Sequence, residues 1–251
     1  MSIIYNLLGS ILSLIFDVVQ SYGWAIILFT ILVKVILLPL TIKQTKSTKA
    51  MQDIQPKIQQ IQEKYKNKPE KQQQQQQEMM DLYKEANINP LSGCLPLLIQ
   101  LPILLGLFAV LREPWNYGLF ESKAAFEAAD TSFLWLSSLT QTGDFGAILR
   151  GQISIENLIL AVLSGVTSYM MQKSMTTGDP QQAQAMQTMT IVMTVMSFIW
   201  GYTFPAGLAV YWIVSNLFSI AQQHLVVSPL KAKMAVTQED VVYDKKPRNK
   251  K

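Results

Sequence analysis

Between Trp24 and Ile42 the chain reads WAIILFTILVKVILLPLTI, nineteen residues whose only charge is Lys34. A helix needs about 20 predominantly apolar residues to cross a ~30 Å hydrocarbon core. Lipid cannot hydrogen-bond an open backbone, so a run of this kind has to be helical. Lys34 lies ten residues from Trp24 and eight from Ile42, near mid-depth. A lysine there costs about 2.5–3.5 kcal/mol on insertion scales, and snorkelling from mid-depth is strained. Composition agrees with a membrane class: 49% of the 251 residues are hydrophobic and 15% charged, against about one-quarter charged in a soluble domain.

The other charges gather in blocks, and the apolar runs between them complete the pattern. It is that of an all-α membrane protein: five transmembrane helices, an outer amphipathic N-terminal helix and a cytoplasmic helical hairpin. Residues 1–22 set apolar side chains at 3, 4, 7, 8, 11, 12, 15, 18 and 19 against Asn6, Ser10, Ser13, Asp17 and Gln20. That stripe predicts a helix lying in the interface, with a short uncleaved span as the alternative. No basic n-region or small-residue cleavage site marks a secretory signal. Spans are predicted at 23–42, 89–111, 154–173, 186–203 and 206–227. The second holds Pro96, Gln100 and Pro102, tolerable where neighbours or water re-satisfy the freed carbonyls. Gly201, Pro205 and Gly207 mark a tight turn between the fourth and fifth. Lys and Arg number nine in 43–85, three in 112–153 and seven after Val227. The positive-inside rule then puts 43–88, the 174–185 loop with Gly178, Asp179 and Pro180, and the 228–251 tail in the cytoplasm. The N-terminal helix and the 112–153 loop face outward.

Within 43–88, Met51, Ile54, Ile58, Ile61 and Tyr65 alternate at spacings of three and four, a coiled-coil seam. Lys66-Asn67-Lys68-Pro69 breaks it, and a second arm runs through Gln72–Gln77, Met79, Leu82, Tyr83 and Ala86. The six glutamines are low complexity but fair helix formers, and are read as solvated helix. Pro56 is expected to kink the first arm or to mark a helix start near Asp53. The tail ends KKPRNKK and is expected to be basic and disordered.

Enzyme signatures are missing: no GxSxG, HExxH, phosphate-cradling glycine loop or paired intramembrane acids. No enzyme, cofactor or metal is therefore expected. His224, the single histidine, reads as an interfacial residue, and Cys94, the single cysteine, as a packing residue. The methionines dense at 170–196 are either lipid-facing filler or an adaptable surface for apolar partners. Lys34 has two readings as well. It snorkels, or it faces a hydrated cavity lined by Thr30 of its own span, Gln100 of the second, and Tyr211, Trp212, Ser215 and Asn216 of the fifth. Asp17 and Glu156 stand outside the spans or at their outer ends, so no acid is placed to neutralise it.

Three stretches carry a resemblance: GWAIILFTILVKVILLPLTIKQTKSTKAMQDIQPKIQQIQEKYKN, NPLSGCLPLLIQLPILLGLF and FPAGLAVYWIVSNLFSIAQQ. With the span order and the hairpin, they are similar to the YidC family of membrane-protein insertases over nearly the whole chain. Pro56 fits too, since the family carries a proline in that arm. The resemblance implies a five-helix core enclosing a hydrophilic groove open to cytoplasm and lipid. A positive residue of the first span, usually arginine, faces that groove and attracts acidic residues of a client. Lys34 holds that position, as a compact charge rather than a five-donor fork. Implied partners are nascent membrane proteins, the lipid bilayer, the ribosome through the hairpin and basic tail, and the Sec translocon. The implied location is the bacterial plasma membrane, N-terminus outside and C-terminus cytoplasmic. A small anion-binding transporter or channel is the alternative, though no second copy of the lysine-bearing span exists. A third reading is a scaffold whose hairpin docks a cytoplasmic partner.

Overall fold

The computed structural model describes residues 2–86, 95–175 and 180–229. Cys94, Gly178, Asp179 and the KKPRNKK tail lie outside these residues. Among the described residues the chain is helical, with one isolated β-bridge between Phe133 and Leu136. It divides into two compact units, Met1–Leu37 with Ile99–Gln222, and Leu38–Leu98 with Gln223–Lys251.

The first unit contains α1 (Ser2–Val19), the start of α2 (Tyr22–Tyr65) and most of α4 (Leu95–Arg112). The short α5 (Lys123–Ala128) and α6 (Phe145–Leu149) follow, then the long α7 (Ile155–Met175), α8 (Pro180–Thr203) and α9 (Ala206–Gln222). Its core joins Leu8 and Leu12 of α1, Ala25, Ile26 and Phe29 of α2, Leu107 and Val110 of α4, and Leu208 to Tyr211 of α9. The expected single apolar stripe of α1 is in fact two faces. Leu8 and Leu12 are buried, while Ile3, Leu7, Leu14 and Val18 are exposed, because apolar residues cover more than half of the helix circumference. Gly106 permits the close approach of α4 to α1, since a Cβ there would stand 2.6 Å from Leu8 Cδ1.

The 112–153 segment is built rather than merely connecting. The rings of Phe120 and Phe126 meet at 4.9 Å, tilted by 57°, beside Phe16, Tyr22 and Trp115. Its residues 139–143 run along the α8–α9 turn: Ala206 N donates to Gln141 O at 2.9 Å and Gly207 N to Leu139 O at 2.8 Å. Those two amides belong to the first turn of α9, whose N–H groups have no partner within the helix. The loop therefore caps the helix that carries most of the predicted site.

Only Tyr22–Gln44 is, among the described residues, long and apolar enough by itself to cross a membrane. Ile3–Val19, Gln100–Arg112 and Thr190–Thr203 are shorter apolar helices. In α7 and α9, Asn157, Ser164, Thr167, Ser168, Ser215 and Asn216 are buried and dilute the apolar signal. The helix that contains the fourth predicted span, α8, begins at Pro180, using proline where a missing N–H costs nothing. The fifth is α-helical to Gln222 and ends in a π-helical turn, Gln223–Val227.

In the second unit, Ile54, Ile58 and Ile61 of α2 bury themselves against Leu82 of α3 (Gln72–Glu85). Met51, Tyr65, Met79, Tyr83 and Ala86 pack around them. The six glutamines form the first six residues of α3 and are mostly exposed. Lys64 Nζ meets the Glu78 carboxylate at 2.8 and 2.9 Å across the pair. No helix starts near Asp53: α2 runs unbroken from Tyr22 to Tyr65 through Pro39 and Pro56. A proline removes one i→i−4 bond and costs about 3 kcal/mol, which burial of Ile54 and Ile58 on either side offsets.

Candidate functional site

α9 organises the site. Tyr211, Ser215 and Ser219 recur every four residues and share one stripe, and Trp212 and Asn216 share the adjoining one. On the first stripe, Gln100 Nε2 of α4 donates to Tyr211 Oη at 2.6 Å. Lys34 Nζ of α2 donates to Ser219 Oγ at 3.2 Å, and Ser219 in turn donates to the Ser215 carbonyl at 2.8 Å. The Tyr211 and Ser219 levels are eight residues apart, about 12 Å along the axis at 1.5 Å per residue. α2 and α4 thus present their polar residues to the same stripe at two depths.

The second stripe faces α7. Asn216 Nδ2 donates to Ser168 Oγ at 2.9 Å and to Thr167 Oγ1 at 3.2 Å, and Trp212 Nε1 to Ser168 Oγ at 3.1 Å. Ser168 donates its own hydrogen bond to Ser197 Oγ of α8 at 2.8 Å, and Ser197 donates to the Met193 carbonyl at 2.7 Å. Every link points the same way, so each bond polarises the next. These hydroxyls are nearly inaccessible: Ser168 is 2% exposed and Ser197 3%.

Of the seven predicted residues, Lys34, Gln100, Tyr211, Trp212 and Asn216 take part in these contacts, and Ser215 lends its carbonyl to Ser219. Thr30 does not: it is fully buried, and its hydroxyl donates to the Ile26 carbonyl one turn back at 2.6 Å. Thr167, Ser168, Ser197 and Ser219 were missed. The run Ser164-Gly-Val-Thr167-Ser168 was the available signal, because 164, 167 and 168 fall on one helical face.

Among the described residues the contact of Lys34 is the Ser219 hydroxyl, whereas carboxylates pair with Lys64, Lys84, Lys123 and Arg150. Glu156, the acid of α7, is committed elsewhere. It accepts from Ser137 N at 2.9 Å, Ser137 Oγ at 3.0 Å and Gln141 Nε2 at 2.6 Å. Asp17 is exposed on α1. Outside the helical core, Asp144 is held below the usual carboxylate range by the Gly146 amide and then by Arg150. The Ser132 hydroxyl and amide do the same for Asp130. Among the described residues no three His, Cys, Asp or Glu side chains gather where a metal would sit.

A family described as 60Kd inner membrane protein matches residues 14–233. The Membrane protein insertase YidC of Fusobacterium nucleatum is 39% identical over 90% of this chain and 98% of its own length. That of Clostridium perfringens is 43% identical over 85% and 81% of the two chains, and MisCA of Bacillus subtilis 40% over 84% and 72%. The chain belongs to the YidC family of membrane protein insertases. A solved structure of an active YidC insertase, with its first transmembrane domain resolved, superposes with TM-score 0.61 at 33% identity. It matches 90% of this chain, which spans 46% of that longer one. YidC-family membership makes this a helical membrane protein, and the matched region contains all seven predicted residues together with Thr167, Ser168, Ser197 and Ser219.

Proposed function

We propose that this chain is a membrane protein insertase and chaperone that transfers nascent membrane proteins into lipid without a chemical step. In this reading five spans, 23–42, 89–111, 154–173, 186–203 and 206–227, cross a bacterial plasma membrane, with the N-terminus outside and the C-terminus in the cytoplasm. Lys34 faces a hydrated groove with Gln100, Tyr211, Trp212, Ser215 and Asn216. It attracts the acidic groups of a short client segment while the client's apolar helix moves into lipid. The observation that carries this is the partner of Lys34: a neutral serine hydroxyl, half-buried between α2 and α9. A charge near mid-membrane with no fixed counter-ion is costly in the resting state. A passing carboxylate relieves that cost. The hairpin and basic tail serve as the ribosome-facing parts, with the Sec translocon as a second partner.

The test is insertion of a client with an acidic outer segment into proteoliposomes. Lys34→Ala lowers the rate and Lys34→Arg retains it, because the charge rather than its fork geometry does the work. The same rate for Lys34→Ala as for the unaltered protein overturns the proposal.

A further inference from the structure

The turn Phe133-Leu134-Trp135-Leu136 in the 112–153 segment is unusual in what it shows to solvent. Phe133 and Leu136 exchange both backbone hydrogen bonds, at 3.0 and 2.9 Å, and closing the turn puts Leu134 at φ 54°. A branched apolar residue rarely adopts that left-handed region, which Gly or Asn would enter without strain. Yet the turn exposes Leu134 by 73% and Trp135 by 42%, with Phe133 and Leu136 buried beneath them. No charge occurs from Thr131 to Thr140. Backbone strain is thus retained at a site that holds two large apolar side chains outward.

The turn is fastened to the start of α2. Phe133 lies against Gly23, where any side chain would overlap its ring, and its ring meets that of Trp24 edge-on at 5.7 Å. Trp24 is itself 51% exposed. Trp24, through Phe133, thus adjoins the turn that carries Leu134 and Trp135, where the apolar run of α2 begins. Tryptophan is enriched at the boundary between hydrocarbon and headgroups. An uncharged apolar cluster continuous with a membrane helix matches that environment.

We propose that the Phe133–Leu136 turn is a membrane anchor: Leu134 and Trp135 sit in the lipid interface at the outer end of α2. Because Phe133 bears on Gly23, the anchor also sets the depth of Lys34, which lies eleven residues on, about 16 Å at 1.5 Å per residue. A charge that works near mid-depth has to be held there, and the turn does so from outside the span. The outward placement of this segment rests on the topology proposed above.

Cys94 is the single cysteine, so Cys94→Ser gives a background for one-site labelling of the full chain in phosphatidylglycerol-containing vesicles. A nitrobenzoxadiazole label at Leu134→Cys is expected to emit blue-shifted light. Lipids spin-labelled at acyl carbon 5 quench it at least twofold more than lipids labelled at carbon 12. The same label at Asn116→Cys or Glu121→Cys, exposed sites of the same segment, stays unquenched. Emission and quenching at 134 equal to those controls overturn the anchor. For the depth claim, the label goes at Lys34→Cys with and without Leu134→Asn/Trp135→Ser, where asparagine keeps the left-handed turn. The carbon-12 to carbon-5 quenching ratio is expected to change when the anchor is lost, and an unchanged ratio refutes depth setting. Both readouts are independent of client insertion, so normal insertion by Lys34→Ala would sink the groove proposal and leave the anchor standing.

Discussion

Removing the Ser168 hydroxyl is the sharpest probe of the buried polar seam. The hydroxyl accepts from Trp212 and Asn216 and donates to Ser197, so Ser168→Ala unmakes three bonds at a site 2% exposed. A buried donor left unsatisfied costs about 1–3 kcal/mol in soluble proteins. Interhelical bonds within membranes measure less, about 0.6 kcal/mol on average and ~1.7 at most, because the unfolded chain finds other partners. Asn216 keeps its bond to Thr167 and Trp212 is half-buried, so one donor is partly rescued and the other loses little. These considerations place Ser168→Ala at about 1.5 kcal/mol destabilising, near the upper membrane value. Unfolding of the purified protein by sodium dodecyl sulfate in mixed micelles, followed by circular dichroism, measures it. A double-mutant cycle with Asn216→Ala should give a coupling of about 1 kcal/mol, as for residues in one network. A single-mutant cost below ~0.3 kcal/mol with additive effects would mean that the chain from Asn216 to Met193 does not hold the helices together.

Two glycines of the α7–α8 contact should respond oppositely to alanine. At Gly201 a Cβ would stand 2.6 Å from Ser164 Oγ and 3.0 Å from the Ala161 backbone, so Gly201→Ala forces the helices apart at about 1–3 kcal/mol and lowers the melting temperature. At Gly165 the nearest atom is Phe198 Cβ at 3.5 Å, ordinary contact, so Gly165→Ala raises the melting temperature by adding helix propensity, up to about 1 kcal/mol. In the α2–α3 hairpin, the hydrogen bond that Lys64 donates to Glu78 lowers the Glu78 carboxyl and raises Lys64. The Glu78 contribution is therefore present above its ordinary range and lost as pH falls through the depressed value. The Lys64 contribution is complete below its ordinary range and lost as pH rises through the raised one. Hydrogen exchange across 72–85 should quicken relative to intrinsic rates on acidification, and in Glu78→Gln that extra dependence should vanish. Equal pH dependence in both proteins would contradict the pairing.

Apolar periodicity made the helices legible in the sequence, as it did the contact between Ile54, Ile58, Ile61 and Leu82. Each depends on residue spacing within a segment. Pro56 misled because its local cost is set against burial of neighbours on a partner helix, which a propensity rule does not weigh. The 112–153 segment was opaque for a related reason. Its short helical turns and the Leu139 and Gln141 carbonyls that cap α9 are fixed by long-range contacts with no periodic signature. In the site, Lys34, Gln100 and Asn216 stood out because polar groups are conspicuous in apolar spans. Serine and threonine are inconspicuous there, so Ser168 and Ser219 emerged only once α7 and α2 were seen against α9. Thr30 shows the converse error: it too is a polar residue of the lysine-bearing span, but its hydroxyl is spent on Ile26.

Everything proposed for function turns on whether the charge at position 34 meets the acidic part of a client. Site-specific photocrosslinking from position 100, which faces the same stripe of α9 and leaves Lys34 in place, to a ribosome-bound nascent membrane protein tests this directly. Two clients are compared, one with its acidic outer residues intact and one with them changed to Asn and Gln. As a paired measure, their insertion by the Lys34 protein and by Lys34→Ala is followed in proteoliposomes. Strong crosslinks to the acidic segment are expected. A several-fold insertion preference for the acidic client should accompany them and disappear in Lys34→Ala. Crosslinks of equal strength to both clients, with a preference that survives Lys34→Ala, would rule out charge recognition by Lys34.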